Sequence, residues 1–405
     1  MSNADQVGLI YKEEVTYGEN PAGTFDALRF TSESLAKATD TTQSTEIRSD
    51  RQVTDLIRNG IRVNGGVNFE FSFAAYDKLL SAALFSADFP AAAALLDVNG
   101  NNAITIVAAT GVMTDDAAGG LFTPVNVGDW LNLSNFTDAL NNVPVKVIAK
   151  ADNDTITVAG LKTLADETRA ASGAGANAAI DRGSFVTNGV TQRSFTFERQ
   201  YTDLTRFSMY RGLVVETLVL NANADAIING SFAFLGKDND ILTAVTASAG
   251  AANAAPTNDV MNAIDNVFGI IEGAPAVNTD NEFCAVSLAL TIANNLRERA
   301  KIGELGPESV GAGKFNVTGT MTAYFDAAKA ATLADKYTQF TESALALIFR
   351  DTDGNFYVID IPRVRLSQGQ KVAGGENTDV LLDMAFTGYR HETEGVTLRI
   401  VKFAA

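Results

Sequence analysis

The stretch GIRVNGGVNFEFSFAAYDKLL, Gly60 to Leu80, restricts the fold more than any other part of the chain because its two-residue alternation is so regular. Val63, Gly65, Val67, Phe69, Phe71 and Phe73 fall on one face of a strand, and Asn64, Gly66, Asn68, Glu70 and Ser72 on the other. A strand with one dry and one wet face has to lie on a core. The plan recurs far downstream in KFNVTGTMTAYF, where Phe315, Val317, Gly319, Met321, Ala323 and Phe325 oppose Asn316, Thr318, Thr320, Thr322 and Tyr324. Val-x-Gly aligns with Val-x-Gly, and each strand runs into a helical pattern. The first helix carries Tyr76, Leu79, Leu80, Ala83 and Leu84 at helical spacing; the second opens on Asp326 as N-cap and brings Leu333, Tyr337 and Phe340 to one side. A weaker middle copy alternates Ile228, Gly230, Phe232 and Phe234 against Asn229, Ser231 and Ala233. Repetition of one strand-and-helix unit is the main architectural expectation.

A chain of 405 residues exceeds what one core usually holds, so two or three domains, or one elaborated domain, are expected. Hydrophobic residues at 46% against 20% charged give it ample material for a core. The N-terminal stretch lacks a basic region followed by an apolar run, and no apolar segment is long enough to span a bilayer, so synthesis and retention in a cytoplasm are expected. Cys284 is the sole cysteine; its place in FCAVSLALTI predicts a small core residue.

Taken in order, Tyr17 to Gly23 reads as a turn-rich loop ahead of a short strand near Leu28 to Phe30. The next thirty or so residues are polar and densely charged near Glu46, Arg48, Asp50, Arg51, Asp55 and Arg58. They read either as a solvated loop or as an arm that orders against a neighbouring subunit. From about Leu95 to Leu164, short alternating runs separated by turn signals predict a small all-β module that carries the single tryptophan, Trp130, as a core anchor. The Ala/Gly-rich stretch after it reads as a linker. Further on, DVMNAIDNVFGII predicts a short helix capped by Asp259, with Met261, Ile264, Val267 and Phe268 on one stripe. Two long strands joined by a loop at Gly303 to Gly313 follow, then a hairpin whose turn is Asp351 to Asn355.

Catalytic patterns are missing. His391 is the only histidine, which removes histidine triads and multi-histidine metal sites. Gly311-Ala312-Gly313-Lys314 fails as a phosphate loop because Glu308 and Phe315 occupy positions that need Gly and Ser/Thr. The Asp351 run lacks the later glutamate of a calcium loop. The reading is therefore no enzyme, no cofactor and no metal. A net charge of −17 argues against retention of nucleic acid; such acidity suits an ordinary soluble protein, and it also suits a conduit past which a polyanion slides.

The joint occurrence of EIRSDRQVTDLIRNGIRVNGGVNFEFSFAAYDKLLSAAL, GKFNVTGTMTAYFDAAKAATLADKYTQFTE and GNFYVIDIPRVRLS followed by GGENTDVLLDMAF resembles the tail tube proteins of tailed bacteriophages. The resemblance covers roughly residues 25 to 90 and 280 to 405. It implies a mainly β (α+β) fold: a β-sandwich or barrel-forming tube core with packed short helices over residues 1–94 and 184–405, interrupted by an immunoglobulin-like or small-barrel module at 95–165 and a linker at 166–183. It further implies homohexameric rings that stack into a tube in the virion tail, with the tape-measure protein and other tail proteins as partners and DNA passing through the lumen without sequence-specific binding. Asn64, Asn68, Glu70, Thr318, Thr320 and Thr322 would then face the lumen, and Ser34 to Asp55 would be the stacking arm, with Gly303 to Gly313 as a second contact. Two alternatives stay beside it: a tube initiator or terminator of the same fold, and a soluble β-rich binding protein that acts through the inserted module.

Overall fold

The computed structural model describes residues 3–90, 103–116, 120–170, 178–325, 330–373, 375–376 and 379–404. Asp326, expected to cap the second helix, lies outside them. The core strands are β1 (Val7–Glu13), β2 (Ala36–Gln43), β3 (Leu56–Glu70), β4 (Phe195–Tyr201), β5 (Arg206–Asn223), β6 (Asn229–Gly236), β7 (Asp238–Thr243), β8 (Val267–Glu272), β9 (Ala285–Ala293), β10 (Asn316–Tyr324), β11 (Glu342–Arg350), β12 (Phe356–Ala373), β13 (Val380–Gly388) and β14 (Arg399–Phe403). Two helices, α1 (Asp77–Ala83) and α2 (Ala330–Thr338), follow β3 and β10.

The second half of the core repeats the first. In the first half β2 pairs with β3, β3 with β6, β6 with β5, β5 with β4 and β7, and β4 with β1. In the second, β9 pairs with β10, β10 with β13, β13 with β12, β12 with β11 and β14, and β11 with β8. All are antiparallel, and β5 and β12 are each 18 residues long. The irregularities coincide too: β5 bulges against β6 between Val215 and Thr217, and β12 against β13 between Leu366 and Gln368. In the first unit Gly65 sits opposite Phe234, and in the second Gly319 sits opposite Phe386. The seam between the halves is itself a strand pair, β5 on β9.

The dry face forms as the alternation requires. Val63, Val67, Phe69, Phe71 and Phe73 are buried, as are Val317, Met321 and Ala323. From α1, Tyr76, Leu79, Leu80, Ala83 and Leu84 enter the same core. Aromatic rings tie the halves together: Phe71 meets Phe349 and Tyr357, and Phe73 lies 5.0 Å from Tyr357. The Tyr357 hydroxyl donates to Asp77 and accepts from the Ala74 N–H at 3.1 Å. Burial, reinforced by Asp77, pushes its phenol well above the ordinary range and keeps it a donor.

Four expectations are corrected. Among the described residues of α2 only Leu333 is fully buried; Tyr337, and Phe340 beyond the helix, remain largely exposed, Tyr337 over Gly369 and Phe340 under the Arg365 guanidinium. The predicted helix after Asp259 is a turn leading into β8, because the Asn262 side-chain oxygen accepts from the N–H groups of Ile264 and Asp265 and closes the chain before a helix can start. Cys284 is exposed: a register shift between Ala285 and Ser287 resets the alternation, so Phe283 turns inward in its place. The inserted module is one curled antiparallel sheet of seven strands, not the two packed sheets of an immunoglobulin-like domain. Its outer strands, Glu167–Ala170 and Ala179–Asp181, lie in the stretch read as a linker and pair with Ala103–Val107 and Trp130–Ser134.

Trp130 anchors the insert to the larger sheet. It packs with Leu161 against Ile271, Ile348, Val358 and Val401, apart from the insert's own core of Ile104, Met113, Leu131, Val145 and Ile156. Lys146 of the insert reaches Asp360 of β12 at 3.0 Å and Glu394 at 3.3 Å, with both ends of the first pair almost dry. The Arg399 guanidinium donates to the Gly128 carbonyl.

Candidate functional site

The wet faces of the two repeated strands lie in one sheet, ordered β2-β3-β6-β5-β9-β10-β13-β12. One row across it carries Ser32, Asn68, Ser231, Val219, Thr291, Thr318, Thr387 and Arg365. The next carries Glu70, Asn229, Asn221, Ala289, Thr320, Ala385 and Gln368, and a third Asn223, Ser287, Thr322 and Asp383. Asn68 and Thr318 therefore share a row, Glu70 and Thr320 share the next, and Asn64 and Thr322 flank them on the same face. Most residues at these positions are hydroxyls, amides and small side chains because none has a core to enter; Glu70, Asp383 and Arg365 carry charge, and Val219 is the apolar exception.

Side chains on this face hold one another. Asn68 Nδ2 donates to Ser32 Oγ at 2.8 Å, Asn221 Nδ2 to Asn229 Oδ1 at 3.1 Å, and the Thr322 hydroxyl to Asp383 at 2.8 Å. Such lateral bonds fix rotamers without adding charge. Among the described residues three arginines, Arg62, Arg363 and Arg365, share the face, and each is paired with a carboxylate. Arg62 pairs with Asp40 at 3.1 Å. Arg365 pairs with Glu342 at 3.1 Å and stacks on the rings of Phe340 and Tyr389. Arg363, with Tyr389 and Arg365, holds the Glu342 carboxyl down at about 2, so this neutralisation is complete above the carboxyl's ordinary value of 4.5 and fades only as pH falls toward about 2. The middle copy with Asn229 and Ser231 takes its place here as β6, whereas Arg62 and the contributions of β5, β9 and β13 are not among the wall residues expected from the sequence, because they depend on register rather than on any local pattern.

The charged segment before β3 is a hairpin. β2 pairs with the start of β3, and residues 45–59 at its far end are all exposed. Within it Arg48 pairs with Asp50 at 2.9 Å, and Asp55 Oδ1 accepts from the Leu56 N–H. Among the described residues Glu46, Arg51 and Arg58 take part in no ion pair. Ile47, Val53, Leu56 and Ile57 project into solvent as well. A two-stranded ribbon without a core is marginal alone, so these residues are suited to a surface outside the chain. The equivalent connection in the second unit, between β9 and β10, holds a small hairpin of Arg297–Arg299 with Ser309–Gly311, whose tip exposes Ile302 completely.

A family model described as phage tail tube protein matches residues 4–388. The chain belongs to the phage tail tube protein family. It is accordingly a structural component of the virion tail, not an enzyme, and it builds that tail by self-association. No curated protein matches it by sequence. Among the described residues of this tail tube protein no helix is long and apolar enough to cross a membrane.

Proposed function

We propose that the wet face of the β2-to-β12 sheet is the wall of the tail channel, in rings that carry six strand-and-helix units each and stack into a tube through the β2–β3 arm. DNA passes through that channel at ejection without sequence-specific binding, and the tape-measure protein occupies it beforehand. The observation that carries this reading is the polarity of the face: hydroxyls and amides run from Asn68 to Thr387, interrupted in that row by Val219 alone, and every described arginine on it is matched by a carboxylate. Retention of DNA requires free Lys and Arg, and among the described residues this wall offers a polyanion none.

Two results are expected. Electron microscopy over a concentration series shows rings and tubes with a central hole, and replacement of residues 44–55 by a two-residue turn leaves rings but abolishes their stacking. Tubes of unchanged length from the shortened chain would remove the arm from this role. A double substitution, Asn68→Lys and Thr320→Lys, leaves the fold intact because both positions are exposed. Tubes of that variant bind duplex DNA at low salt and release it as salt rises, whereas unmodified tubes do not bind. Binding of DNA by the unmodified tube would contradict a non-adhesive wall.

A further inference from the structure

The internal duplication supplies a template for the contact between copies. The seam between the halves sets Thr217 opposite Ala293, Leu218 opposite Ile292 and Asn223 opposite Ser287. It joins the last wall strand of one unit, β5, to the first wall strand of the next, β9. The counterparts of those two strands stand at opposite ends of the chain's sheet, and both are open. From Leu366 onward β12 pairs with β13 alone, and β2 pairs with β3 alone, among the described residues. An open edge of this length is a template for another strand.

We infer that β12 of one chain pairs antiparallel with β2 of the next, in the register of the internal seam, and that three chains close each ring. The correspondence between units sets that register. Thr217 and Gln368 each follow their bulge and face Ala233 and Ala385. Ala293 corresponds to Ala38, since Ile292 opposes Val317 as Lys37 opposes Val63. Gln368 therefore stands opposite Ala38 of the second copy.

The stagger of the sheet supports closure. Asn64 is the counterpart of Thr318, yet the residue in Thr318's row is Asn68, four residues on, after four strand steps. With a rise of ~3.3 Å and a strand spacing of ~4.8 Å, that offset tilts the strands by about 35°, as closed barrels require. Each unit gives four wall strands. This step rests on the six-unit ring proposed above: six units come from three chains, and the wall then has about 24 strands and a backbone diameter of about 45 Å, with room for a duplex.

The test uses the full chain with Cys284→Ser, carrying Ala38→Cys and Gln368→Cys, assembled and then oxidised. Thr217→Cys with Ala293→Cys serves as a geometric control, because it must close within one chain if this register admits a disulfide. Non-reducing gels are expected to give a ladder that stops at three chains, and native mass spectrometry of unlinked rings gives three masses per ring. Rings that form but weigh six chains, or that fail to link while the control links, overturn the inference and leave the channel reading standing. A chain that stays monomeric at every concentration overturns the channel reading itself.

Discussion

Gly319→Val is expected to cost about 3 kcal/mol or more, a large share of the about 5–15 kcal/mol by which such folds are ordinarily stable. A Cβ at Gly319 would come within 2.3 Å of the Phe386 ring and 2.4 Å of the Ala289 carbonyl oxygen, so neither the neighbouring side chain nor the backbone can yield cheaply. Phe386 and Gly319 share the register position of Phe234 and Gly65 in the first unit, but only at Gly319 does the ring make the close approach. Urea unfolding at a concentration below assembly is the measurement. Thr320→Val, one residue away but exposed, serves as reference and shifts stability by no more than about 0.5 kcal/mol. Equal stability of the two variants would refute the close approach of strand and ring.

Asp360→Ala is expected to cost about 3–5 kcal/mol, because it strands the Lys146 ammonium in a nearly dry interface. Glu394 remains 3.3 Å away but is shared with Arg399 at 3.7 Å, so one carboxylate is left for two cations. Pairing Asp360→Leu with Lys146→Met removes both buried charges and should recover most of the loss. Trp130 is the only tryptophan and lies in this interface, so its fluorescence reports directly on whether the insert stays docked during the unfolding titration. An unchanged midpoint for Asp360→Ala would show that the pair contributes little to holding the insert.

The parts of this fold legible in the sequence are those where one face is dry. The runs from Val63 to Phe73 and from Val317 to Ala323 announce themselves because burial permits only one parity. β2 was read as a loop or arm because AKATDTTQ is polar on both faces, and only its pairing to β3 makes it a strand. The full duplication is not legible in the sequence because the insert splits the first unit after α1, and counterpart residues share size and parity more than identity: Asn68 matches Thr322, and Phe232 matches Met384. Local bulges did the rest, turning Cys284 outward and bending β5, where Gly212 adopts a φ of 71° that only glycine takes without strain. Which face Arg365 occupies is illegible for the same reason, since it depends on the bulge beside it.

The seam between β5 and β9 also changes the kinetics of building a ring. Half of the lateral contacts in the proposed ring form as a single chain folds, at an effective concentration no bimolecular encounter reaches, so they carry no translational entropy loss at assembly. Nucleation then needs two bimolecular encounters instead of the five that six separate units would need, and the threshold for tube growth becomes correspondingly less sensitive to dilution. Fusion also frees the two units from having to be identical. Only the first interrupts its α1-to-β4 connection with an extra sheet, so the exterior of the tube can present a module at every second position while the interior keeps its regular spacing.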